Sequence, residues 1–118
     1  MHRPVIRQHG AHFSIIPASL WRLLRGPAVY VLAHDPGDLV VAPLYVGETE
    51  QLRGYIGPAH DKWQQALRRG LNVICVHHEP RGEQFRRNLE MILRRQYQPP
   101  LNEQPVPPAR RTDPLVAA

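Results

Sequence analysis

The sequence predicts a fold of the α/β class, in its α+β form, with a three-stranded antiparallel β-sheet flanked by helices. Two short segments, 29–33 and 44–47, show the alternation of half-buried strands, and Asp35-Pro36-Gly37-Asp38 between them favours a turn. A β-branched run at 71–76 predicts a third strand, and apolar residues at helical spacing over 83–96 predict a helix. We therefore expect a hairpin, a third strand and a C-terminal helix around one core.

The chain of 118 residues is long enough for one domain with a modest core and too short for two. Residues 1–26 are expected to form an N-terminal arm and a short helix, which Ser19 caps and Gly26-Pro27 ends. Residues 27–102 form the predicted domain. Residues 103–118 contain four prolines and few large apolar side chains, so we expect a disordered tail there.

The segment between the hairpin and the third strand is expected to form a helix, a kink and a second helix. Thr49 is a suitable N-cap, Gly57-Pro58 breaks the first helix, and the second helix covers 59–69. Pro43 indicates a sheet edge or a bulge in its strand. On the C-terminal helix, four residues at helical spacing are expected to form the buried stripe: Phe85, Leu89, Ile92 and Gln96.

The charge of the chain favours a polyanionic partner. The net charge is +5, the pI is near 10.1, and every one of the 15 basic side chains except Lys62 is an arginine. An arginine-rich codon usage explains that ratio equally well, although it explains the net charge less readily. The single cysteine, Cys75, cannot form an intramolecular disulfide, and no apolar run is long enough to span a bilayer. We therefore expect a cytoplasmic protein that binds no membrane.

Two tyrosines on the predicted hairpin are the first candidates for chemistry. If the strands pair, Tyr30 and Tyr45 lie near each other on one face of the sheet. Ordinary core packing explains two aromatic strand residues just as well on pattern alone.

Three motifs, in order along the chain, favour a catalytic interpretation. Ala28-Val29-Tyr30 and Tyr45-Val46-Gly47 resemble the two half-motifs of the GIY-YIG nuclease superfamily. The segment 90–102 resembles the carboxy-terminal motif of that family, with Glu90 on a predicted helix and Asn102 after two prolines. The resemblance extends from about residue 27 to residue 102.

The resemblance implies a small metal-dependent endonuclease that hydrolyses phosphodiester bonds, with Mg²⁺ or Mn²⁺ as cofactor and DNA favoured over RNA as substrate. Glu90 would bind the metal, and Tyr30 or Tyr45 would orient or deprotonate the attacking water. His60 would act on the leaving group or bind phosphate, while Asn102 would hold the site together through hydrogen bonds.

Four basic residues are expected to contact the nucleic acid: Arg53, Lys62, Arg86 and Arg94. From the sequence alone, Glu90 also fits an ordinary helix pair with Arg86 or Arg94, four residues to either side. The resemblance favours the metal site over that pair.

One position departs from the family pattern. The catalytic arginine of the family usually follows the second tyrosine by ten positions, where this chain has Tyr55, and Arg53 lies two residues earlier. Two residues are separated by about 200° on a helix, so Arg53 reaches the site only if Gly54 or Gly57-Pro58 changes the local backbone. The alternative function is a catalytically degenerate module that binds nucleic acid or a protein partner without cleavage. The sequence indicates no oligomeric state.

Overall fold

A computed structural model describes residues 5–38, 40–103 and 115–116, which form an α+β fold. Its strands are β1 (Val5–Gln8), β2 (Ala11–Pro17), β3 (Ala28–His34), β4 (Val40–Thr49), β5 (Val73–His78) and the two-residue β6 (Leu115–Val116). Its helices are a 3₁₀ helix (Ala18–Leu23), α1 (Trp63–Arg68) and α2 (Glu83–Tyr97). The strand order is β1-β2-β5-β3-β4-β6, and every neighbouring pair is antiparallel. Among the described helices, none has the length and apolar character needed to cross a bilayer.

The predicted hairpin is confirmed as β3 and β4. Tyr30 pairs with Gly47 and Leu32 pairs with Tyr45, after which the register shifts and Ala33 faces Pro43. Pro43 therefore lies at a bulge, as its missing N–H requires. The third predicted strand is β5, which pairs with the other edge of β3. Because β3 lies between β4 and β5 in the sheet, nearly all of its residues are buried.

The prediction of three strands is wrong, because residues 5–17 form a second hairpin instead of an arm. β2 pairs with β5, and β1 covers the outer edge of β2, so the antiparallel sheet has five main strands. Ala11 and Phe13 enter the core, while His12 between them is exposed. His12 pairs with the exposed Arg7 of β1, and these polar side chains hid the alternation. The turn places His9 and Gly10 at positive φ.

The short helix expected before β3 forms, but as a 3₁₀ helix (Ala18–Leu23) that begins before Ser19, so Ser19 is not its cap. β2 continues through Pro17, and no side chain caps the helix. Leu24 after it is buried, whereas Leu20 and Leu23 are 43% and 66% exposed.

The predicted helix, kink and second helix after β4 reduce to turns and the single helix α1. Thr49 ends β4, and its hydroxyl accepts a hydrogen bond from the backbone N–H two residues later (3.2 Å). Residues 51–62 turn, with Gly54 and Gly57 at positive φ. A Cβ at Gly57 would lie 2.7 Å from Cδ2 of Trp21, so this glycine is required for backbone conformation and for packing.

Two apolar clusters cover opposite faces of the sheet. Tyr30 and Leu32 belong to the cluster that contains α1 and the 51–62 turns, whereas Val29 and Val31 belong to the cluster that contains α2. This division follows from the alternation of side chains along a strand. The thiol of Cys75 is buried in the second cluster.

Helix α2 matches its predicted bounds but not its predicted buried face. Phe85 and Ile92 are 48% and 39% exposed, whereas Leu93 and Gln96 are buried. Near the start of the helix the buried residue is Arg86, whose Nε donates a hydrogen bond to the carboxylate of Glu48 on β4 (2.9 Å). The buried face of α2 thus includes a long-range ion pair and differs from the apolar stripe that its sequence indicates.

The predicted disordered tail falls mostly outside the described residues. Leu115–Val116, however, pair with Val40 and Val41 at the outer edge of β4. For these two residues the expected disorder is corrected to a short strand.

Glu79, directly after β5, is a buried carboxylate with several donors. Arg81 donates to it through Nε (2.7 Å) and Nη2 (2.8 Å), and Nε2 of His77 lies 3.1 Å away. The hydrogen bonds from Arg81, with a smaller contribution from His77, lower the pKa of Glu79 to about 2.

We expect the free energy of unfolding to decrease as the pH falls from about 5 towards 2, because the unfolded chain protonates Glu79 near its ordinary pKa while the folded carboxylate stays ionised. This contribution is complete above the ordinary pKa of glutamate and is lost towards the folded value. Urea unfolding at several pH values should show a flatter acid limb for Glu79→Gln than for the exposed control Glu50→Gln. Equal slopes for the two variants would contradict this assignment.

Candidate active site

The side chain of Tyr30 is completely buried, and its hydroxyl lies 2.7 Å from Nε2 of His60. Nδ1 of His60 accepts a hydrogen bond from the backbone N–H of Lys62 (3.0 Å), so the ring proton lies on Nε2 and is donated to Tyr30. Burial lowers the pKa of His60, which keeps the ring neutral in this arrangement. The imidazole therefore connects the central strand to the residue that precedes α1.

Three tyrosine rings surround His60. The centroid of Tyr30 lies 6.2 Å from that of Tyr45, so the two hairpin tyrosines share one face as predicted, and Tyr55 packs edge-on against Tyr30 at 6.1 Å. Burial raises the pKa of Tyr45 to about 12. Burial, with further contributions from Tyr55 and Tyr45, raises the pKa of Tyr30 well above its ordinary value. Tyr30 and Tyr45 are therefore both phenols at neutral pH.

Gly47 provides the space for the two hairpin tyrosines. A Cβ at this position would overlap the phenol of Tyr30 and would lie 2.9 Å from Cε1 of Tyr45. Steric space therefore explains why glycine occupies position 47. Tyr30 faces Gly47 across the strand pair, and the tyrosine ring lies over the glycine backbone.

A cleft of about 250 Å³ opens beside Tyr45. Its lining is mostly charged and consists of Tyr45, Asp61, Lys62, Glu90, Arg94, Asn102 and Glu103. Five of these seven were predicted as site residues from the sequence. Asp61 and Glu103 were missed, and the only available signal was that each is the chain neighbour of a predicted residue.

Glu90 lies on the α2 side of the cleft and is partly buried. Its Oε1 lies 3.4 Å from Nη1 of Arg94, one helical turn later. Burial raises the pKa of Glu90, while Arg94 opposes that shift by favouring the charged form. The helix pair expected from the sequence therefore forms, and it lies inside the cleft next to Tyr45.

Lys62 contributes a cation from the opposite side. Its side chain is only 10% exposed, and its ammonium pairs with Glu103, whose side chain is 79% exposed. The hydrogen bond from Lys62 lowers the pKa of Glu103. A buried lysine stem thus carries its charge to the mouth of the cleft.

Asn102 connects the loop that follows α2 to β4. Its Oδ1 accepts from the N–H of Val46 (2.9 Å), its Nδ2 donates to the carbonyl of Val46 (2.8 Å), and the N–H of Leu101 donates to Leu44 (3.0 Å). The amide therefore occupies the edge of β4 as another strand would, directly beside Tyr45.

Four of the predicted site residues do not line the cleft, namely Tyr30, Arg53, His60 and Arg86. Arg53 is exposed in the 51–62 turns and does not line the cleft, whereas Tyr55 packs on Tyr30 and His60. Arg86 was expected to bind nucleic acid, but it is 6% exposed and paired with Glu48. His60 is also outside the cleft lining, since it lies behind Tyr45 in the core.

A second cavity, of about 560 Å³, lies where β4 meets the start of α2. Its charged lining consists of Glu48, Glu50, Glu83 and Arg86. Three carboxylates and one arginine give this cavity one more negative charge than the Tyr45 cleft, which has three carboxylates and two cations, so it is a poorer candidate for a nucleic-acid site.

The Tyr45 cleft fits Mg²⁺ or Mn²⁺ better than a metal that needs a full set of protein ligands. In the described ranges, no three His, Cys, Asp or Glu side chains converge as a metal site. Mg²⁺ needs only one or two carboxylates and fills its other positions with waters and phosphate oxygens. The three carboxylates and two cations of the cleft leave one net negative charge, which a divalent ion would convert to one positive charge.

Comparison of the chain with protein-family models, with curated proteins and with solved structures gave no match. The residues that line the cleft, together with the order of the motifs in the sequence, are therefore the basis for any functional proposal.

We expect Asn102→Asp to reduce the free energy of unfolding by about 1–3 kcal/mol, because a carboxylate oxygen would replace the donor that now faces the carbonyl of Val46. Urea unfolding at neutral pH measures the change. Asn88→Asp is the matched control, since exposed Asn88 only accepts from Gln84 and an aspartate keeps that bond. Equal stability of Asn102→Asp and wild type would show that the amide does not secure the β4 edge.

Proposed function

We propose that this protein is a metal-dependent endonuclease of the GIY-YIG type that hydrolyses phosphodiester bonds in nucleic acid, with DNA favoured over RNA. The observation that carries the proposal is that Tyr45, Glu90 and Asn102 line one open cleft. These residues belong to β4, α2 and the loop after α2, and the motif resemblance used only their order along the chain. The net charge of +5 supports a polyanionic substrate.

A divalent ion at Glu90 would neutralise phosphate charge and lower the pKa of a bound water. Glu90 meets the geometric requirement for this role because it lines the cleft; burial raises the pKa of its carboxyl, and Arg94 opposes that shift. Asp61, also in the lining, provides a second carboxylate within the same cleft.

Of the two hairpin tyrosines, Tyr45 is the one we assign to the attacking water. Tyr30 has no exposed surface, whereas Tyr45 is partly exposed and borders the cleft. With its pKa raised to about 12, Tyr45 keeps its proton at neutral pH and orients the water by hydrogen bonding instead of acting as a free base. Tyr30 and His60 act through Tyr45 as positioning residues.

The second candidate function is a module that binds nucleic acid or a protein partner without cleavage. It is favoured by one observation, namely that Tyr55 occupies the position of the family's arginine while Arg53 is exposed away from the cleft. A binding module of this kind would bind DNA with a steep salt dependence and would leave it intact.

We expect wild-type protein to nick supercoiled plasmid in the presence of Mg²⁺ or Mn²⁺, and Glu90→Gln to lose this activity by a factor of about 10² or more. The amide keeps the shape of the side chain but removes the charge that the metal requires. Glu83→Gln on the same helix, an exposed position outside the cleft, is the control and should cleave like wild type.

Two other results would decide against cleavage at this site. Equal nicking by wild type and Glu90→Gln would indicate a contaminating nuclease or another site. Salt-sensitive DNA binding without any cleavage, at all metal concentrations tested, would favour the binding module.

A further inference from the structure

We infer that Lys62 supplies the cation that binds the phosphoryl group during cleavage, in a site where neither Arg53 nor Tyr55 can do so. This inference rests on the proposed endonuclease function and assigns one step of it to a particular side chain. Hydrolysis forms a bond from a water oxygen to phosphorus, breaks the ester bond, and leaves the proton of the water on the departing oxygen. Negative charge increases on the non-bridging oxygens, and a cation beside the cleft stabilises it.

Three of the chain's basic residues are candidates for that cation, and the structure separates them. Arg53 is exposed and lies outside the cleft. Arg94 lies in the cleft but pairs with Glu90, the carboxylate assigned to the metal. Lys62 faces the same cleft from the segment before α1. A phosphate bound in the cleft would then lie between two cations, the Lys62 ammonium and a metal ion held by Glu90.

Backbone hydrogen bonds and packing fix the position of Lys62. Its backbone N–H donates to Nδ1 of His60, Nε2 of His60 is bonded to the buried hydroxyl of Tyr30, and the carbonyl of Lys62 accepts the N–H of Ala66 in α1. The side chain is only 10% exposed, so its stem is held by packing. A lysine that is restrained in this way loses little conformational freedom when it binds phosphate.

The partner of Lys62 can leave at small cost. Glu103 is 79% exposed, so its carboxylate returns to water when a phosphate oxygen replaces it. The ammonium has three donors and no acceptor, which suits an anion with several oxygens. Glu103 therefore competes with the substrate for Lys62.

The experiment measures kcat and KM for cleavage of a duplex oligonucleotide in Mg²⁺ by matched variants. Lys62→Met keeps the length of the buried stem and removes the charge, and we expect kcat to fall by a factor of about 10²–10³. Lys62→Arg should recover part of that loss, and Arg68→Met, which removes an exposed charge on α1 outside the cleft, should leave kcat unchanged. Thermal unfolding of each variant verifies the fold.

Glu103→Gln gives an independent test because its side chain is 79% exposed. Removal of the competing carboxylate should lower KM several-fold, and this gain should disappear when Lys62→Met is present in the same chain. Cleavage that survives Lys62→Met, or that is abolished by Arg53→Met instead, would overturn the inference while the endonuclease proposal stands. A wild-type protein that never cleaves would refute the proposed function itself, and the role of Lys62 with it.

Discussion

The buried hydroxyl of Tyr30 is the constraint on which the site depends. A phenol without access to water must find a hydrogen-bond partner inside the protein, and here that partner is His60. The other nitrogen of His60 is satisfied by the backbone of Lys62, which precedes α1. The two hydrogen bonds of this imidazole therefore join the central strand to the end of the 51–62 turns, where Lys62 enters the cleft.

The cleft lies where the two faces of the sheet meet, beside the outer edge of β4. Tyr45 packs with the cluster of the first face, while Leu93 of α2 belongs to the cluster of the second face. Without Asn102, the N–H and carbonyl of Val46 at this edge would be open to pairing with another strand. Asn102 satisfies both groups, so the same amide closes the edge and positions the end of α2 next to the tyrosine.

Local sequence patterns were sufficient for the parts of the fold that local interactions determine. The β3–β4 hairpin has a turn sequence between alternating strands, and α2 has helical spacing followed by prolines, so both were predicted from the chain alone. Sequence reasoning missed the β1–β2 hairpin because its outer face carries histidines and arginines. It also misjudged the buried face of α2, because the Arg86–Glu48 pair joins residues 38 positions apart and no local pattern reveals it. The order of the motifs pointed to Tyr45, Glu90 and Asn102, but it could not show that Arg53 is turned away.

The bonds between Asn102 and Val46 also have a consequence for the order of folding. They join residues that lie 56 positions apart in the chain. Closing a loop of this length reduces the conformational entropy of the chain before the contact contributes any stabilisation. The hairpin with its tyrosines is local and forms early, whereas the carboxylate of Glu90 and the amide of Asn102 arrive only when α2 has docked. A chain that is partly folded thus carries the tyrosines without the cleft, and the residues of the cleft come together only in the finished protein.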